Sequence, residues 1–417
     1  YKRQLLSHES PHPPTTPLPT MIPSGRSWRP GYATAGTLKR IVAPSAAARA
    51  PKPIPRVLTP VRPLHSATPP TPQPTAPGVA PDAKPIKVVT AYAFAAKPRD
   101  SASEDSAPAL QGRIDPNSEL GRWRQALLKG GDAGEDALMV SRQSDHAVLI
   151  GVADGVGGWT ESGIDPAHFS NALLHYATMF AENYTSVPAP RTILEHAFEQ
   201  VKDNAKIEAG SSTACLVRLD AAQGRLSSAN LGDSGFVLLR PDPQSAEGRM
   251  QVVFSSVPQL YGFNCPYQLA KVPHSMQQSG SLSNQPSDAA LHELDLQRGD
   301  MVMVMTDGFL DNVHCQLPPK ESLTPDAPQR PELLQLIDML QDKHCEHWQT
   351  IKKPGATASD EKQDFTNVVA STLMQYARLC QMTEEKVSPF QLDAARYGIH
   401  YPGGKVDDIA LVCATVV

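Results

Sequence analysis

The sequence predicts an α+β fold with four layers, in which two antiparallel sheets pack face to face and helices cover the outside of each sheet. Three long apolar runs, VLIGVADG, MVMVMTDG and IALVCATVV, are typical of strands that are buried on both faces. Shorter strand patterns lie between them, bracketed by segments with helical spacing of apolar residues. A pair of packed sheets with helices outside would bury all of these elements.

Residues 1–85 are predicted to form a disordered, basic, Pro-rich segment. Pro, Ala, Thr and Ser dominate it, and Pro disrupts helix interiors and central strands. Glu9 is the only acidic residue before Asp82, whereas Arg and Lys recur along the stretch. An Arg-bearing, hydroxyl-rich and acid-poor segment is typical of an organellar, here mitochondrial, targeting region. An ordinary basic tail is the alternative.

Residues 86–417 are predicted to form the ordered domain, which opens with the strand pattern KVVTAYAFAA. A short helix is expected over residues 119–129, because Gly130 and Gly131 follow it. The segments GEDALMVSRQ and HAVLIGVADG predict a hairpin with a polar turn. Two helices should follow, one beginning at Asp165-Pro166 and one over residues 192–209.

The second half of this domain alternates strands and helices in the same way. Short strands are predicted in STACLVRLD, RLSSANLGDS, GFVLLR and QVVFSS, and LHELDLQRGD leads into MVMVMTDG. Helices are expected over residues 331–348 and 364–382, with KKPGATASDEKQ as a surface loop between them. The strand IALVCATVV completes the domain.

The composition argues against several classes of function. The 417 residues have a formal net charge of −5, and no run approaches the roughly 20 apolar residues that span a bilayer. Neither a transmembrane segment nor nucleic-acid binding is therefore predicted. The six cysteines form no C-x-x-C pair, which argues against a zinc site. His344, Cys345 and His347 are interpreted as a solvated helix face.

Acidic residues stand where predicted strands meet turns, and a buried carboxylate is costly unless it is hydrogen-bonded, paired or bound to a cation. The set comprises Glu135, Asp136, Asp154, Asp233, Asp307 and Asp407. Only oxygen donors are present in it, which favours a hard cation such as Mg²⁺ or Mn²⁺. Two such ions about 4 Å apart can share a carboxylate and activate water for in-line attack on phosphorus. Gly155 permits close backbone approach, so its carbonyl is a further candidate ligand.

Six segments in order closely resemble the metal-dependent protein phosphatases of the type 2C family. They are GEDA, ADGVGGW, GSSTACLV, ANLGDSGF, TDGFLDN and GGKVDDIALV, and they span most of residues 86–417. Any one of them alone would be an ordinary strand-and-turn signal. The forms DGVGGW, NCPYQL and SPFQ resemble the mitochondrial branch of that family in particular.

The resemblance implies a serine/threonine phosphoprotein phosphatase with a binuclear Mg²⁺ or Mn²⁺ centre and a possible third ion. Asp154 would bridge the two metals and is the principal catalytic candidate, with Asp136 in support. Gly155 would donate its carbonyl, and Glu135 would hold the second metal through water. The substrates would be phosphorylated proteins, including mitochondrial matrix proteins such as factors of ubiquinone biosynthesis; a cytoplasmic location is the alternative.

The same resemblance places the remaining ligands. Asp307 and Asp407 would bind the first metal, and Asp233 together with Asp307 matches the position of a third, weaker metal. Asp408 stands where many members carry Asn and receives no ligand role.

Two positions depart from the family pattern. Many members have His after the first Asp-Gly, where this chain has Val156, and many have an Arg that clamps the substrate phosphate, where this chain has Gly131 with Lys129 nearby. These departures motivate a competing hypothesis, a catalytically silent member that binds phosphoproteins. The complete acidic set argues against it. A calcium-binding module is disfavoured because no twelve-residue loop of alternating acids is present.

Overall fold

The computed structural model describes residues 86–98, 112–184, 188–276, 282–317 and 330–417, and the predicted targeting segment lies outside these ranges. The α-helices are α1 (Glu119–Leu128), α2 (Pro166–Glu182), α3 (Pro190–Asp203), α4 (Asp307–Leu310), α5 (Glu332–Ile351), α6 (Ala358–Gln381) and α7 (Pro389–Arg396). The strands are β1 (Val88–Ala95), β2 (Asp136–Arg142), β3 (Ala147–Asp154), β4 (Gly210–Ser212), β5 (Ala214–Asp220), β6 (Arg225–Leu231), β7 (Gly235–Pro241), β8 (Met250–Ser255), β9 (Leu260–Gly262), β10 (Cys265–Pro266), β11 (Leu269–Lys271), β12 (Ala290–Asp295), β13 (Met301–Met305) and β14 (Ile409–Val416).

Two five-stranded antiparallel sheets form the centre of the domain. Sheet 1 has the strand order β1-β14-β13-β7-β8, and sheet 2 has the order β12-β6-β5-β3-β2. The three long apolar runs supply inner strands, β3 in sheet 2 and β13 and β14 in sheet 1. The predicted α+β architecture with two packed antiparallel sheets is confirmed.

Alternate side chains of the inner strands contact different layers, which is why these strands are apolar on both faces. In β14, Leu411 packs with residues of α5 and α6, while Val412 packs between the sheets against residues of β3 and β5. On the far side, Leu149 of β3 packs with residues of α2 and α3. The layers therefore run from α5 and α6 through sheet 1 and sheet 2 to α2 and α3.

Several helix boundaries differ from the sequence prediction. The segment 358–363, expected as part of a loop, belongs to α6, because Thr357 and Asp360 form a capping box that starts the helix there. Helix α3 ends at Asp203 rather than at residue 209, and the next residue, Asn204, has an extended backbone. The prediction missed α7, which is only eight residues long and begins after the capping residue Ser388.

The prediction of a solvated His344 was wrong. His344 is buried, and its Nε2 lies 3.0 Å from Asp364 Oδ2 on α6, so it helps to join α5 to α6. Cys345 is exposed, as expected, and Cys215 and Cys413 are buried in their strands. In the part of the chain that the structure describes, no helix combines the length and the apolarity needed to cross a membrane.

Candidate metal centre

Antiparallel pairing brings the predicted acidic residues to one edge of the two sheets. In sheet 2, Asp136 at the start of β2 lies directly opposite Asp154 at the end of β3. In sheet 1, the end of β13 pairs with the beginning of β14. Asp307, which follows β13, therefore lies next to Asp407, which precedes β14.

Thr306 connects the acidic edges of the two sheets. Its Oγ1 donates a hydrogen bond to Asp136 Oδ2 at 2.8 Å and accepts one from the Ala410 amide at 2.9 Å. Asp136 is 1% exposed, and its Oδ1 has no hydrogen-bond partner among the described residues. One oxygen of this carboxylate is thus fixed, while the other is left without a donor.

Asp408 holds the backbone around Glu135 in place. Its carboxylate accepts hydrogen bonds from the Lys97 amide at 2.8 Å and the Glu135 amide at 2.9 Å. Its side chain is 2% exposed. Because each carboxylate oxygen already accepts a backbone N–H, Asp408 acts as a positioning residue.

Two glycines permit the close backbone approach that this edge requires. A Cβ on Gly308 would lie 1.9 Å from the Asp408 carbonyl oxygen, and one on Gly155 would lie 2.8 Å from the Glu135 carbonyl oxygen. The two Asp-Gly motifs are therefore needed for backbone packing as well as for their carboxylates.

Two lysines lie among the acidic residues and pair with different subsets of them. Lys97, just after β1, places its Nζ 2.8 Å from Glu135 Oε2 and 3.4 Å from Asp407 Oδ1. Lys405 places its Nζ 2.5 Å from Asp307 Oδ2 and 2.9 Å from Asp311 Oδ2. The Lys97 side chain is 36% exposed and that of Lys405 only 12%. We call this group of residues the acidic cluster: Lys97, Glu135, Asp136, Asp154, Asp233, Asp307, Asp311, Lys405, Asp407 and Asp408.

Burial and neighbouring carboxylates raise the pKa of most carboxylates in the acidic cluster, whereas Lys405 helps to lower that of Asp307. Burial, followed by the charge of Asp408, raises the pKa of Asp136, while burial followed by the charge of Asp307 raises that of Asp154. Burial likewise raises the pKa of Asp311 to about 7, although Lys405 opposes the shift. Excess buried negative charge favours the binding of cations.

The donor chemistry of the acidic cluster fits Mg²⁺ or Mn²⁺. Buried oxygens of Asp136, Asp233 and Asp307 have no hydrogen-bond partner among the described residues, and oxygen is the donor these ions prefer. Within those same residues, no three His, Cys, Asp or Glu side chains stand ready-arranged around a metal position. The Lys97 ammonium lies between Glu135 and Asp407, so this side chain must turn away when ions bind. The Lys405 ammonium contacts Oδ2 of Asp307 and leaves Oδ1 of that carboxylate without a partner among the described residues.

The structure brings Glu135, Asp136, Asp154, Asp307 and Asp407 together. It also places Asp233, at the turn after β6, close enough that the charges of Asp307 and Asp311 contribute to raising its pKa, after burial itself.

Sequence reasoning missed several residues of the acidic cluster. Asp311 and Lys405 lie inside motifs that were recognised, TDGFLDN and GGKVDDIALV, and their charged side chains were the available signal. Lys97 lies outside every recognised motif, so nothing in the local sequence indicated its place. Lys129, by contrast, is an exposed residue that ends α1.

Packing leaves little room for an arginine at position 131, where this chain has Gly and many members of the family have Arg. A Cβ on Gly131 would lie 2.7 Å from the Phe94 ring, so a long side chain there would displace Phe94. Lys97, rather than a residue of the 129–131 segment, is the cation that the structure places beside Glu135.

Comparison with known proteins finds a family model and relatives that match more than half of this chain. A family model described as protein phosphatase 2C matches residues 126–352. The PTC7 protein phosphatase homolog of Homo sapiens is 33% identical over 296 residues, which cover 70% of this chain and 83% of that protein. The 5-azacytidine resistance protein azr1 of Schizosaccharomyces pombe is 31% identical over 70% of this chain and 84% of its own length.

This chain belongs to the protein phosphatase 2C family. It is a metal-dependent protein serine/threonine phosphatase, and its PTC7 relatives confirm the resemblance to the mitochondrial branch. In fold it is similar to the photosystem II phosphatase PBCP, with a TM-score of 0.51 and 23% identity over 79% of this chain and 99% of that chain.

Proposed function

We propose that this phosphatase hydrolyses phosphoserine and phosphothreonine in one step, by in-line attack of water at a binuclear Mg²⁺ or Mn²⁺ centre in the acidic cluster. The observation that carries the proposal is the convergence of buried carboxylates from both sheets, with unpartnered oxygens on Asp136 and Asp307. When bound, the two ions would neutralise the phosphate and lower the pKa of the attacking water.

The chain supplies the ligands from four separate segments. We assign Asp154 and the Gly155 carbonyl to the centre of the site, and Glu135 to the ion on the sheet 2 side. Asp307 and Asp407 would hold the ion on the sheet 1 side.

We propose that Asp136 orients the groups that bind the metals without itself being one of the main ligands. Its bond to Thr306 fixes the relative position of the two sheet edges, and such outer partners orient the groups that bind a metal.

Lys97 is the residue that we propose contacts the substrate phosphate. Its ammonium lies beside Glu135 and Asp407, and more than a third of its side chain is exposed, so it can turn towards a ligand that enters from solvent. Its backbone amide is held by Asp408, which keeps the side chain at the site. A Lys ammonium binds phosphate as a point charge, without the bidentate geometry of Arg. Val156 cannot donate a proton, so the leaving group must take one from another group of the site or from water.

The test is phosphate release from a phosphothreonine peptide by the full-length chain in Mn²⁺, in Mg²⁺ and in EDTA. We expect metal-dependent turnover that Asp154→Asn abolishes. Asp342→Asn is the matched control, because Asp342 is an exposed residue of α5 that pairs with Arg249. This variant should retain wild-type turnover. A folded wild-type protein that binds Mn²⁺ without turnover would instead support the phosphoprotein-binding alternative.

We further propose that residues 86–417 form the catalytic domain and that residues 1–85 direct it to the mitochondrial matrix, where phosphorylated matrix proteins would be its substrates. The acid-poor, Arg-bearing composition of the segment and the PTC7 relatives support this. Residues 1–85 fused to a fluorescent protein should accumulate in mitochondria, and replacing the Arg and Lys residues of the segment by Gln should prevent it. A diffuse cytoplasmic signal from the unaltered fusion would contradict the targeting role.

A further inference from the structure

Lys405 lies in the part of the acidic cluster where a third divalent ion would have to bind. Its Nζ contacts Asp307 Oδ2 at 2.5 Å and Asp311 Oδ2 at 2.9 Å, and Asp407 Oδ2 is 3.2 Å away. The side chain is 12% exposed, and the ammonium also lies 5.2 Å from the centre of the Phe390 ring. It is therefore enclosed by three carboxylates and an aromatic face.

A metal ion and this ammonium cannot share the position. Mg²⁺ binds carboxylate oxygens at about 2.0–2.1 Å, so an ion held by both Asp307 and Asp311 would occupy the space of the Lys405 ammonium. Two adjacent cations would also repel each other strongly in a buried site. Either Lys405 leaves the site or the third ion does not bind.

The surroundings of Lys405 favour its staying in place. The backbone of residue 405 is fixed, because its amide donates to Asn312 Oδ1 at 3.0 Å and its carbonyl accepts from Asn312 Nδ2 at 2.9 Å. Asn312 is itself fully buried. An ammonium that lost its carboxylate partners without reaching water would carry a large desolvation cost.

We propose that Lys405 serves as a permanent cation in place of a third divalent ion, so that this phosphatase binds two ions per chain. The inference rests on the proposed binuclear centre and extends it by fixing its stoichiometry. Asp233, whose buried Oδ1 has no partner among the described residues, would complete a third site together with Asp307 and Asp311 once the ammonium is removed.

The experiment counts bound Mn²⁺ in the full-length chain by equilibrium dialysis and elemental analysis. The wild type should bind two ions, and Lys405→Met, which keeps the apolar stem against Phe390, should bind three. Lys386→Met is a matched control, because Lys386 is 19% exposed, pairs with Glu332 and lies 5.4 Å from the Tyr376 ring centre. It should still bind two ions.

A second variant guards against a folding defect in the first. Lys405→Gln retains a hydrogen-bond donor for Asp307 and Asp311 without the charge, and it should also bind three ions. Adding Asp233→Asn to either variant should return the count to two. Three ions in the wild type, or two in both folded Lys405 variants, would overturn the role of Lys405 while leaving the binuclear function intact. A wild-type chain that binds no Mn²⁺ would defeat the proposed function itself.

Discussion

The acidic cluster and the ion pair between Glu332 and Lys386 are both largely shielded from solvent, but their charges are balanced very differently. Glu332 has a donor for each oxygen: Tyr376 Oη at 2.5 Å, the His314 amide at 3.0 Å and Lys386 Nζ at 2.9 Å. The acidic cluster has eight carboxylates against two ammonium groups, and several buried oxygens in it lack a donor in the described residues.

The difference separates a stabilising network from a functional one. A buried carboxylate with all its hydrogen bonds satisfied stabilises the fold, and removing one partner is costly. Carboxylates whose pKa is raised by burial and by one another's charge destabilise the metal-free fold, and such groups gather at functional sites. We therefore expect opposite responses to the same kind of substitution in the two regions.

Among the substitutions that compare the two regions, the largest effect is expected for Asp136→Asn in the acidic cluster. Activity should fall about 10- to 100-fold, as is usual when a partner behind a metal ligand is changed. The melting temperature of the metal-free protein should not fall, because a neutral side chain removes an uncompensated buried charge. Phosphate release and differential scanning calorimetry in EDTA measure the two quantities.

Asp300→Asn is the counterpart of Asp136→Asn outside the acidic cluster. Asp300 is also fully buried, but Arg240 donates to both of its oxygens at 2.8 and 2.7 Å. This variant should melt at a lower temperature and keep its activity while folded. If both variants lost stability equally, the distinction between the two kinds of buried carboxylate would not hold.

A smaller effect is expected from replacing Lys97, the residue proposed to contact the substrate phosphate. Lys97→Ala should raise KM for a phosphopeptide about 10-fold or more, because a charge-assisted hydrogen bond to phosphate is lost. Lys129→Ala should leave KM unchanged, since Lys129 is exposed at the end of α1. Steady-state kinetics at saturating Mn²⁺ compares them, and an equal change in both would remove Lys97 from the phosphate site.

The smallest effect is expected from replacing Glu332, whose oxygens are all hydrogen-bonded or paired. Burial alone would raise the pKa of Glu332, but hydrogen bonds from Tyr376 and His314 and the Lys386 charge lower it below the usual 4.5. Its stabilisation is therefore complete above pH 4.5 and is lost as pH falls through the lowered pKa. Glu332→Gln should lower the free energy of unfolding by about 1–2 kcal/mol at pH 7. The difference between variant and wild type should shrink below pH 4.5. Activity at pH 7 should be unchanged. Chemical denaturation at several pH values measures it; a difference that grew on acidification would contradict the assigned sign.

The sequence predicted the sheets better than it predicted the site. Strands such as β13 and β14 are apolar on both faces, so their burial could be inferred from composition alone. The acidic residues were found because each one follows or precedes such a strand, as Asp154 and Asp307 do. The paired sheets were predictable because few other arrangements bury strands and helices in this order.

The lysines of the site could not be found in this way. Lys97 reaches Glu135 only through a contact between residues 38 positions apart, and Lys405 reaches Asp307 across 98 positions. Long-range contacts of charged side chains leave no periodic pattern in the local sequence. Similarly, the start of α6 is set by the side chain of its capping residue, Thr357. The spacing of apolar residues does not reveal the position of such a cap.

The position of β14 between β1 and β13 also has a consequence for how the enzyme is made. Residue 88 pairs with residue 416, so sheet 1 cannot assemble until more than three hundred intervening residues have been synthesised. Asp407, which directly precedes that strand, is the last of the predicted ligands to be translated. A growing chain on the ribosome, or one still being threaded through a translocation channel, therefore lacks both the closing strand and the complete site. We therefore expect the phosphatase to become active only after synthesis and any transport have delivered this strand.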